Sequence, residues 1–457
     1  MGKIKIFIAA AEASPLAKVG GLADVIGSLP KTLSKLGVQI TILLPKYKTI
    51  DEKKFKLIKT KETVKVAFGG NTETLPLWRT TLPDSKVPII LFEHKSWISR
   101  GGIYATPSAE PSGHESELQR FGVFSSAIAE YASKNGDSST ILHCNDWHVA
   151  LAIPIMRGLL RNKKVHALIT IHNLAYQGIY SEKIALKILG KDIFSIIPKQ
   201  AKNKGNINLF ASGILASNWT STVSPTYREE ILKPENGAGL DWALRAKKNK
   251  FVGILNGIDY KSWPPQKRFK TEKAFLCGMV SRIAEQKGFD ILLPAMLDVL
   301  NKDKRIKFTI LGVGEPLYVA KLKKYTKQFA GRVTFINRFD EAAAQKIYAN
   351  SDAFLIPSRF EPSGLGQMIS MRYGTLPIAR ATGGLKDTIN NLEDGFLFGP
   401  YSRQALADCI LRAAKLFFNN PKKWNAMRKN AARKDFSWKK SALEYKKLFS
   451  EILQHKN

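Results

Sequence analysis

The chain has 457 residues, of which 44% are hydrophobic and 24% charged; this composition is typical of a globular protein and excludes a long disordered or repetitive tract. Lysine and arginine (71 residues) outnumber aspartate and glutamate (38), and the net charge of +33 raises the question of a nucleic-acid partner. The lysines are scattered over the whole length and form no concentrated basic patch, so we expect no nucleic-acid partner and a general field that favours small anionic substrates.

The sequence contains no run of the ~20 apolar residues that a membrane span requires, so we expect no membrane partner. The apolar run after Lys5 is short for a signal peptide and is interrupted by Glu12, so it is better explained as a buried strand. Cys144, Cys277 and Cys409 are few and widely spaced, which favours a reducing compartment. We therefore expect a cytoplasmic protein.

Short apolar runs, each followed by a polar turn and a helical stretch, predict two series of strands. The first series is 4–10, 39–44, 87–92, 141–143, 166–171, 221–224 and 251–255; after a proline-rich break at 263–268, the second is 274–280, 307–311, 332–336, 353–356, 376–379 and 395–398. Nearly continuous apolar strands alternating with helices predict parallel sheets covered on both faces. We therefore expect an α/β protein with two doubly wound, Rossmann-like domains, 1–262 and 263–437, and a helix at 438–457 that packs back on the first domain.

In such folds ligands bind at the carboxyl ends of the strands, and with two facing domains we expect the site in the cleft between them. A glycine loop from Lys18 to Asp24 joins the first strand to a helix predicted at 25–36. Such a loop offers backbone N–H groups and a helix N-terminus to an anion, and Lys18 adds a charge that suits phosphate. The alternative is an ordinary turn that needs Gly20 and Gly21 for its dihedral angles.

Two further polar segments follow predicted strands of the first domain. Asp146 lies in one, beside Trp147 and next to residues that invite a metal interpretation (His143, Cys144 and His148). No second His/Cys cluster completes a metal site, so sugar binding is favoured there. The other segment begins with His172 and Asn173, and a lone histidine at such a place is often structural.

Three segments of the second domain carry anion-binding chemistry. Arg282 and Lys287 follow the first strand of the second series and can hold a diphosphate, or they are two solvated cations. Glu361 precedes Gly364 and Leu365 at a predicted helix start, and Thr382-Gly383-Gly384 repeats the arrangement. The chain has no Asp-x-Asp pair, so we expect no metal and no other cofactor.

With these residues in place, the chain resembles the bacterial glycogen synthase and plant starch synthase family, retaining glucosyltransferases of the GT-B fold, over nearly its whole length. The motifs in the first half are Lys18-Val19-Gly20-Gly21-Leu22-Ala23-Asp24-Val25, Asp146-Trp147-His148, His172-Asn173-Leu174-Ala175-Tyr176-Gln177-Gly178, Val223-Ser224-Pro225-Thr226-Tyr227 and Leu255-Asn256-Gly257-Ile258-Asp259. Those in the second half are Ser281-Arg282, Gln286-Lys287-Gly288, Pro357-Ser358-Arg359-Phe360-Glu361-Pro362, Arg372-Tyr373-Gly374-Thr375-Leu376-Pro377, Thr382-Gly383-Gly384-Leu385 and Asp435-Phe436-Ser437-Trp438.

The resemblance implies transfer of glucose from ADP-glucose to the non-reducing end of an α-1,4-glucan such as glycogen, with retention. It implies that Lys18 contacts the donor phosphates and that Arg282 and Lys287 neutralise the leaving diphosphate. The glucose would be held by His172, Asp146, Asn256 and Glu361, and the adenine pocket would be lined by Phe339, Thr382 and Gly383. The catalytic set is then Glu361, His172, Arg282 and Lys287. The other predicted substrate-binding residues are Glu12, Gly20, Gly21, Asp24, Asn173, Gly364 and Leu365.

The chain departs from the family pattern in two places. The segment between Asn256 and Arg282 is shorter than in the family and lacks the helix that opens the second domain. Gly366 stands where the family has a threonine, whose hydroxyl would contact phosphate. Two other functions therefore remain open: a degenerate glucan-binding protein that kept the fold, and a GT-B transferase that uses UDP-glucose or another acceptor.

Overall fold

The computed structural model describes residues 4–104, 112–264, 274–338 and 340–455. The chain divides into two compact units. Unit 1 comprises Met1–Val223, Arg228–Gly257 and Trp438–Asn457, and unit 2 comprises Ser224–Tyr227 and Ile258–Ser437. The division differs from the sequence-based one at Ile258 and at Ser224–Tyr227. Ser224–Tyr227 groups with unit 2 because the Ser224 hydroxyl donates to the Pro362 carbonyl (2.6 Å) and the Thr226 hydroxyl donates to Asp387 (2.7 Å).

Among the described residues, nine strands of unit 1 form one sheet in the order β12-β11-β7-β6-β1-β2-β5-β4-β3. Neighbours from β12 to β5 are parallel, whereas β4 is antiparallel to both of its neighbours, β5 and β3. Three short antiparallel strands (β8, β10 and β9) form a separate sheet. The bounds are β1 (Lys5–Ala9), β2 (Gln39–Pro45), β3 (Ile58–Phe68), β4 (Asn71–Thr81), β5 (Pro88–Phe92), β6 (Thr140–Asn145), β7 (His166–Ile171), β8 (Ile179–Ser181), β9 (Lys202–Asn203), β10 (Asn206–Asn208), β11 (Trp219–Thr222) and β12 (Phe251–Gly253).

The first seven helices connect these strands. They are α1 (Gly21–Lys35), α2 (Ser112–Asn135), α3 (Ala152–Pro154), α4 (Glu182–Ser195), α5 (Leu209–Ala216), α6 (Pro225–Ile231) and α7 (Asp241–Ala246). Helix α1 shows why such segments are helical: Leu22, Val25, Ile26, Leu29 and Leu33 recur at helical spacing and are buried in the unit 1 core, with Ile8 and Ile42 of the sheet.

Unit 2 is a smaller sheet covered by helices, and its described strands are all parallel, in the order β15-β14-β13-β16-β17-β18. Its strands are β13 (Phe275–Val280), β14 (Ile306–Leu311), β15 (Val333–Ile336), β16 (Ala353–Ile356), β17 (Leu376–Arg380) and β18 (Phe396–Phe398). Its helices are α8 (Phe289–Lys302), α9 (Pro316–Gln328), α10 (Glu341–Asn350), α11 (Gly366–Arg372), α12 (Gly383–Thr388), α13 (Arg403–Asn419) and α14 (Pro421–Arg433).

The prediction of a wholly parallel first sheet is wrong at one edge, where the β3–β4 hairpin was not predicted. Strand β3 is rich in lysine and mostly exposed, and only Val66 and Phe68 at its end are buried. A search for nearly continuous apolar runs therefore does not detect β3, because an antiparallel edge strand with one solvent-exposed face needs few apolar residues.

The C-terminal helix α15 (Trp438–Gln454) belongs to unit 1. Its buried residues Trp438, Tyr445, Leu448, Phe449 and Ile452 form one face and join the core cluster that contains α1 and β1. Among the helices the structure describes, none is long and apolar enough to cross a membrane.

We predict that Phe449→Ala destabilises unit 1 by about 3–5 kcal/mol, since the phenyl ring is fully buried and its removal leaves a cavity. Amide hydrogen exchange of α1 and β1 measures this locally, because a chain with two units need not unfold in one step. The control is Lys447→Ala on the same helix, where the side chain is 81% exposed. Equal exchange in the two variants would contradict a structural role for α15 in unit 1.

Candidate active site

In unit 1, three neighbouring strands bring the predicted site residues to one edge of the sheet. The loop after β1 carries Glu12 and Lys18, Asp146 follows β6, and His172 follows β7. Because these strands are parallel and adjacent, the loops at their carboxyl ends lie side by side.

Glu12 holds the loop after β1 together and is only 3% exposed. Its Oε2 accepts hydrogen bonds from the backbone N–H groups of Val19 (2.6 Å) and Gly20 (2.7 Å), and its Oε1 accepts one from the Tyr104 hydroxyl. The chain's own carboxylate thus accepts the hydrogen bond of the Gly20 N–H group, and the predicted role of Gly20 in substrate binding stays a prediction. Both oxygens of Glu12 are engaged in this way, so Glu12 positions the loop.

Lys18 lies on the outer side of the same loop. Its Nζ is 2.7 Å from Oδ1 of Asp24, and the two side chains are 45% and 38% exposed. An ion pair this exposed stabilises the fold little, so a phosphate can replace Asp24 as the partner of Lys18. Helix α1 begins at Gly21, and its N-cap Gly20 has no side chain to cap the first turn. The N–H groups of that turn are thus directed at the same region as Lys18.

Asp146 connects the loops after β6 and β7. Its Oδ1 accepts hydrogen bonds from the backbone N–H of His172 (2.8 Å) and of Asn173 (3.4 Å), and its own φ is +62°, in the left-handed region. Burial raises the pKa of Asp146 to about 7, while the two backbone hydrogen bonds lower it. Asp146 is thus a strained, buried carboxyl group that titrates near neutral pH.

His172 is oriented by a residue that was not predicted, Asn145. The Nε2 atom of His172 lies 2.9 Å from the amide oxygen of Asn145, so this nitrogen carries the proton and Nδ1 is left as an acceptor. Burial lowers the pKa of His172 to about 3, and the imidazole is therefore neutral at physiological pH. Asn145 directly precedes Asp146 at the end of β6, and this adjacency is the signal that could have identified it.

Asn256 is the remaining predicted residue of unit 1. It is buried, and its amide oxygen has no hydrogen-bond partner within the described part of the chain. An unsatisfied buried amide is costly and is a feature that a ligand can relieve.

In unit 2 the predicted residues also follow adjacent strands: Arg282 and Lys287 come after β13, Glu361 after β16, and Thr382 and Gly383 after β17. The Nζ of Lys287 lies 2.7 Å and 3.0 Å from the two carboxylate oxygens of Glu361. The Ser358 hydroxyl donates a third hydrogen bond to Glu361 (2.7 Å), and this residue was also not predicted. The structure thus joins two predicted catalytic residues in one largely buried ion pair.

Two glycines permit this close packing of loops. Gly288, next to Lys287, has φ +82°, and a Cβ there would overlap the carbonyl oxygen of Pro357. Gly383 has φ +45°, and a Cβ there would overlap the carbonyl oxygen of Glu361. Any larger residue at either position would push the Glu361 loop away from its neighbours.

The other predicted residues of unit 2 lie in the same loops or at the helix starts that follow them. Arg282 donates to the Gln286 amide oxygen (3.2 Å) and is otherwise exposed, while Thr382 is buried as the N-cap of α12. Gly364 and Leu365 immediately precede α11, which begins at Gly366. Phe339 lies outside the described residues.

No group of three His, Cys, Asp or Glu side chains that could hold a metal ion occurs in the described ranges. The histidines that had suggested a metal site have other partners: Nε2 of His143 lies 2.6 Å from the Thr170 hydroxyl, and the ring of His148 lies 4.2 Å from that of Trp147.

Comparison with known proteins supplies the family. Residues 5–246 match the starch synthase catalytic domain, and residues 261–434 match the glycosyl transferases group 1 domain. The glycogen synthase of Geotalea daltonii is 37% identical over 99% of this chain and 100% of its own length, and that of Kosmotoga olearia is 38% identical over 98% of each. The chain belongs to the glycogen and starch synthase family.

Solved structures agree with this assignment. The catalytic domain of starch synthase IV from Arabidopsis thaliana, bound to ADP and acarbose, has a TM-score of 0.88 and 30% identity, with complete coverage of both chains. Sucrose-phosphate synthase from Thermosynechococcus elongatus, at 19% identity and a TM-score of 0.64, shares the fold. As a member of the glycogen and starch synthase family, the chain is a glucosyltransferase with the GT-B fold.

The comparison with the Geotalea daltonii enzyme also shows a difference in length. The alignment with the Geotalea daltonii glycogen synthase spans 495 positions, whereas this chain has 457 residues. That family member therefore carries residues that this chain lacks, although both chains are covered almost completely.

The pKa of Asp146 leads to a testable pH dependence. Because its folded-state pKa (about 7) lies above the unfolded value, the protonated form stabilises the fold below about pH 4, and this stabilisation is lost as the pH rises toward 7. The unfolding free energy of the wild type, relative to Asp146→Asn, should thus fall by about 4 kcal/mol between those pH values.

Denaturant unfolding at a series of pH values measures this difference. Asp192→Asn, which removes an exposed carboxyl group of the same unit, reports the general effect of losing one charge. A difference that does not change with pH would contradict a buried Asp146 that titrates near neutrality.

Proposed function

We propose that the chain transfers glucose from ADP-glucose to the non-reducing end of an α-1,4-glucan, with retention of configuration. The observation that carries this proposal is the Lys287–Glu361 pair, which joins two family motifs in one site. Membership in the family supports a glucan product. The ADP in the starch synthase IV structure supports an adenosine diphosphate leaving group.

In unit 2, Lys287 and Arg282 would bind the diphosphate of the donor. An ammonium group has three hydrogens, and the two oxygens of Glu361 engage at most two of them, so one remains for a phosphate oxygen. Arg282 is exposed and donates to the amide oxygen of Gln286, which a phosphate can displace. The N–H groups at the start of α11, beside Leu365, supply further donors.

In unit 1, Lys18 would bind phosphate in place of Asp24, and the loops after β6 and β7 would bind the sugar. The ionised Asp146 is an acceptor for sugar hydroxyl groups, and the unpartnered amide oxygen of Asn256 is another. His172 is neutral and its Nε2 proton is directed at Asn145, so its free Nδ1 also accepts. These groups would hold the glucose without placing a positive charge beside the reacting carbon.

The glycosidic bond breaks as negative charge develops on the departing diphosphate. Cations that are already fixed stabilise this charge without reorganisation, which is the usual source of large electrostatic rate effects. Glu361 and Ser358 fix Lys287 in this way, since the ammonium lies between two carboxylate oxygens in a largely buried place. Lysine and arginine would then do what a divalent cation does in other transferases, and independence of metal stays a prediction.

The donor and the activity are tested together with radiolabelled ADP-glucose and UDP-glucose, each with glycogen as primer. We expect label to enter polymer from ADP-glucose. Polymer from UDP-glucose alone would overturn the proposed donor. No polymer from either nucleotide sugar would overturn the synthase activity and favour a protein that only binds glucan, which glycogen cosedimentation would then detect.

Loss of the Lys18 ammonium and loss of the Glu361 carboxylate should affect different kinetic constants. Lys18→Ala should raise the KM for ADP-glucose about tenfold through loss of one charge-assisted contact. Glu361→Gln should lower kcat about 100-fold, because Lys287 loses the carboxylate that positions it. Steady-state kinetics measure both, with Lys35→Ala on α1 as the control for loss of an exposed lysine. An unchanged KM in Lys18→Ala would contradict the phosphate role of Lys18.

A further inference from the structure

Unit 2 contains a pocket at the opposite edge of its sheet from Glu361. The pocket has a volume of about 430 Å³ and lies between the end of α11 with its following turn and helix α14. Its lining includes Arg372, Tyr373, Gly374, Asn425, Arg428 and Lys429. Because α11 runs from the carboxyl end of β16 to the amino end of β17, Arg372 is at the far end of the helix from the Glu361 loop.

The charges around this pocket have one sign. Arg372, Arg428 and Lys429 line it, and no carboxylate is among the lining residues. The Nε of Arg428 donates to the carbonyl of Gly374 (2.8 Å), which anchors its guanidinium group against the turn. Lys429 is exposed, and within the described ranges its side chain forms no ion pair and no hydrogen bond.

Two polar atoms of pocket residues are buried and unsatisfied. The Nε of Arg372 and the hydroxyl of Tyr373 have no hydrogen-bond partner within the described part of the chain. A buried donor without an acceptor costs about 1–3 kcal/mol, so native proteins rarely leave one unless a ligand or water provides the acceptor. The pocket thus combines a positive surface with donors that lack acceptors.

We propose that this pocket binds a small phosphorylated anion. Guanidinium groups present paired N–H donors that match phosphate oxygens, and lysine adds a mobile charge. The volume lies within the range of roughly 300–1,000 Å³ that is usual for small-molecule sites. The site also gives a use to the Arg372-Tyr373-Gly374 motif, which the proposed glucosyl transfer does not employ.

Arg372 links the pocket to the segments through which the chain enters and leaves unit 2. Its guanidinium lies 4.0 Å from the centre of the Tyr260 ring, and the Tyr260 hydroxyl accepts a hydrogen bond from the Phe436 N–H (2.8 Å). The N–H of Ile258 donates to the carbonyl of Phe436 (2.8 Å). An anion that engages Arg372 therefore acts on the contact that joins these two crossing segments.

Isothermal titration calorimetry with pyrophosphate tests the site in the full chain at about 0.15 M salt, where weak attraction to the basic surface is screened. All proteins carry Arg282→Gln, which weakens the proposed donor site. Lys429→Gln removes a side chain that has no partner among the residues the structure describes, and Arg372→Gln removes the buried donor. The matched control is Lys422→Gln, an exposed lysine of α14 that does not line the pocket.

We expect Lys429→Gln and Arg372→Gln each to weaken pyrophosphate binding about tenfold, with Lys422→Gln unchanged. Equal weakening by Lys429→Gln and Lys422→Gln would overturn the proposal, as would an absence of binding in the Arg282→Gln parent. Lys429→Gln decides the matter if Arg372→Gln fails to fold. Orthophosphate and ribose 5-phosphate distinguish the ligand source: tighter binding of ribose 5-phosphate indicates a sugar phosphate, whereas equal binding indicates that the phosphate group alone is recognised.

Discussion

The ion pair between Lys287 and Glu361 requires the loops after two adjacent strands, β13 and β16, to meet within hydrogen-bonding distance, and the loop after β17 packs against Glu361. A carboxylate that is only 7% exposed destabilises a fold unless it is paired, and here an ammonium group and a serine hydroxyl satisfy it. The packing that brings these groups together tolerates no side chain at Gly288 or Gly383. The ion pair thus depends on both the strand order of unit 2 and the two glycines. The proposed chemistry uses the lysine that this ion pair fixes.

Unit 1 uses buried carboxylates in a different way. Glu12 accepts hydrogen bonds from two backbone N–H groups of its own loop, after β1. Asp146 accepts hydrogen bonds from two backbone N–H groups of the loop after the neighbouring strand β7. Each carboxylate therefore substitutes for the regular secondary structure that these loops lack. Glu12 thus fixes the backbone next to Lys18, and Asp146 fixes the backbone of His172. The Lys18 ammonium, paired only with an exposed carboxylate among the described residues, and the Nδ1 of His172 can then engage a ligand.

Much of this architecture could be predicted from the sequence, because the parallel strands are strongly apolar. Strands β7 and β16 lie where the apolar runs at 166–171 and 353–356 predict them, and the polar motifs follow strands as expected. The β3–β4 hairpin could not be predicted in this way, since lysine side chains dominate its exposed face. Within the site, the occupation of the Gly20 N–H by Glu12 and the pairing of His172 with Asn145 depend on side-chain geometry that residue spacing does not contain.

The return of α15 to unit 1 has a consequence for the order of folding during synthesis. All residues of the unit 2 sheet lie between β12 and Trp438, so they leave the ribosome before the helix that completes the unit 1 core. Unit 2 can therefore reach its final packing while unit 1 still exposes the apolar surface that Trp438, Tyr445 and Phe449 later cover. Domains usually fold in the order in which they are made, and the position of α15 would reverse that order in this chain. The nascent first half would depend longest on protection from aggregation.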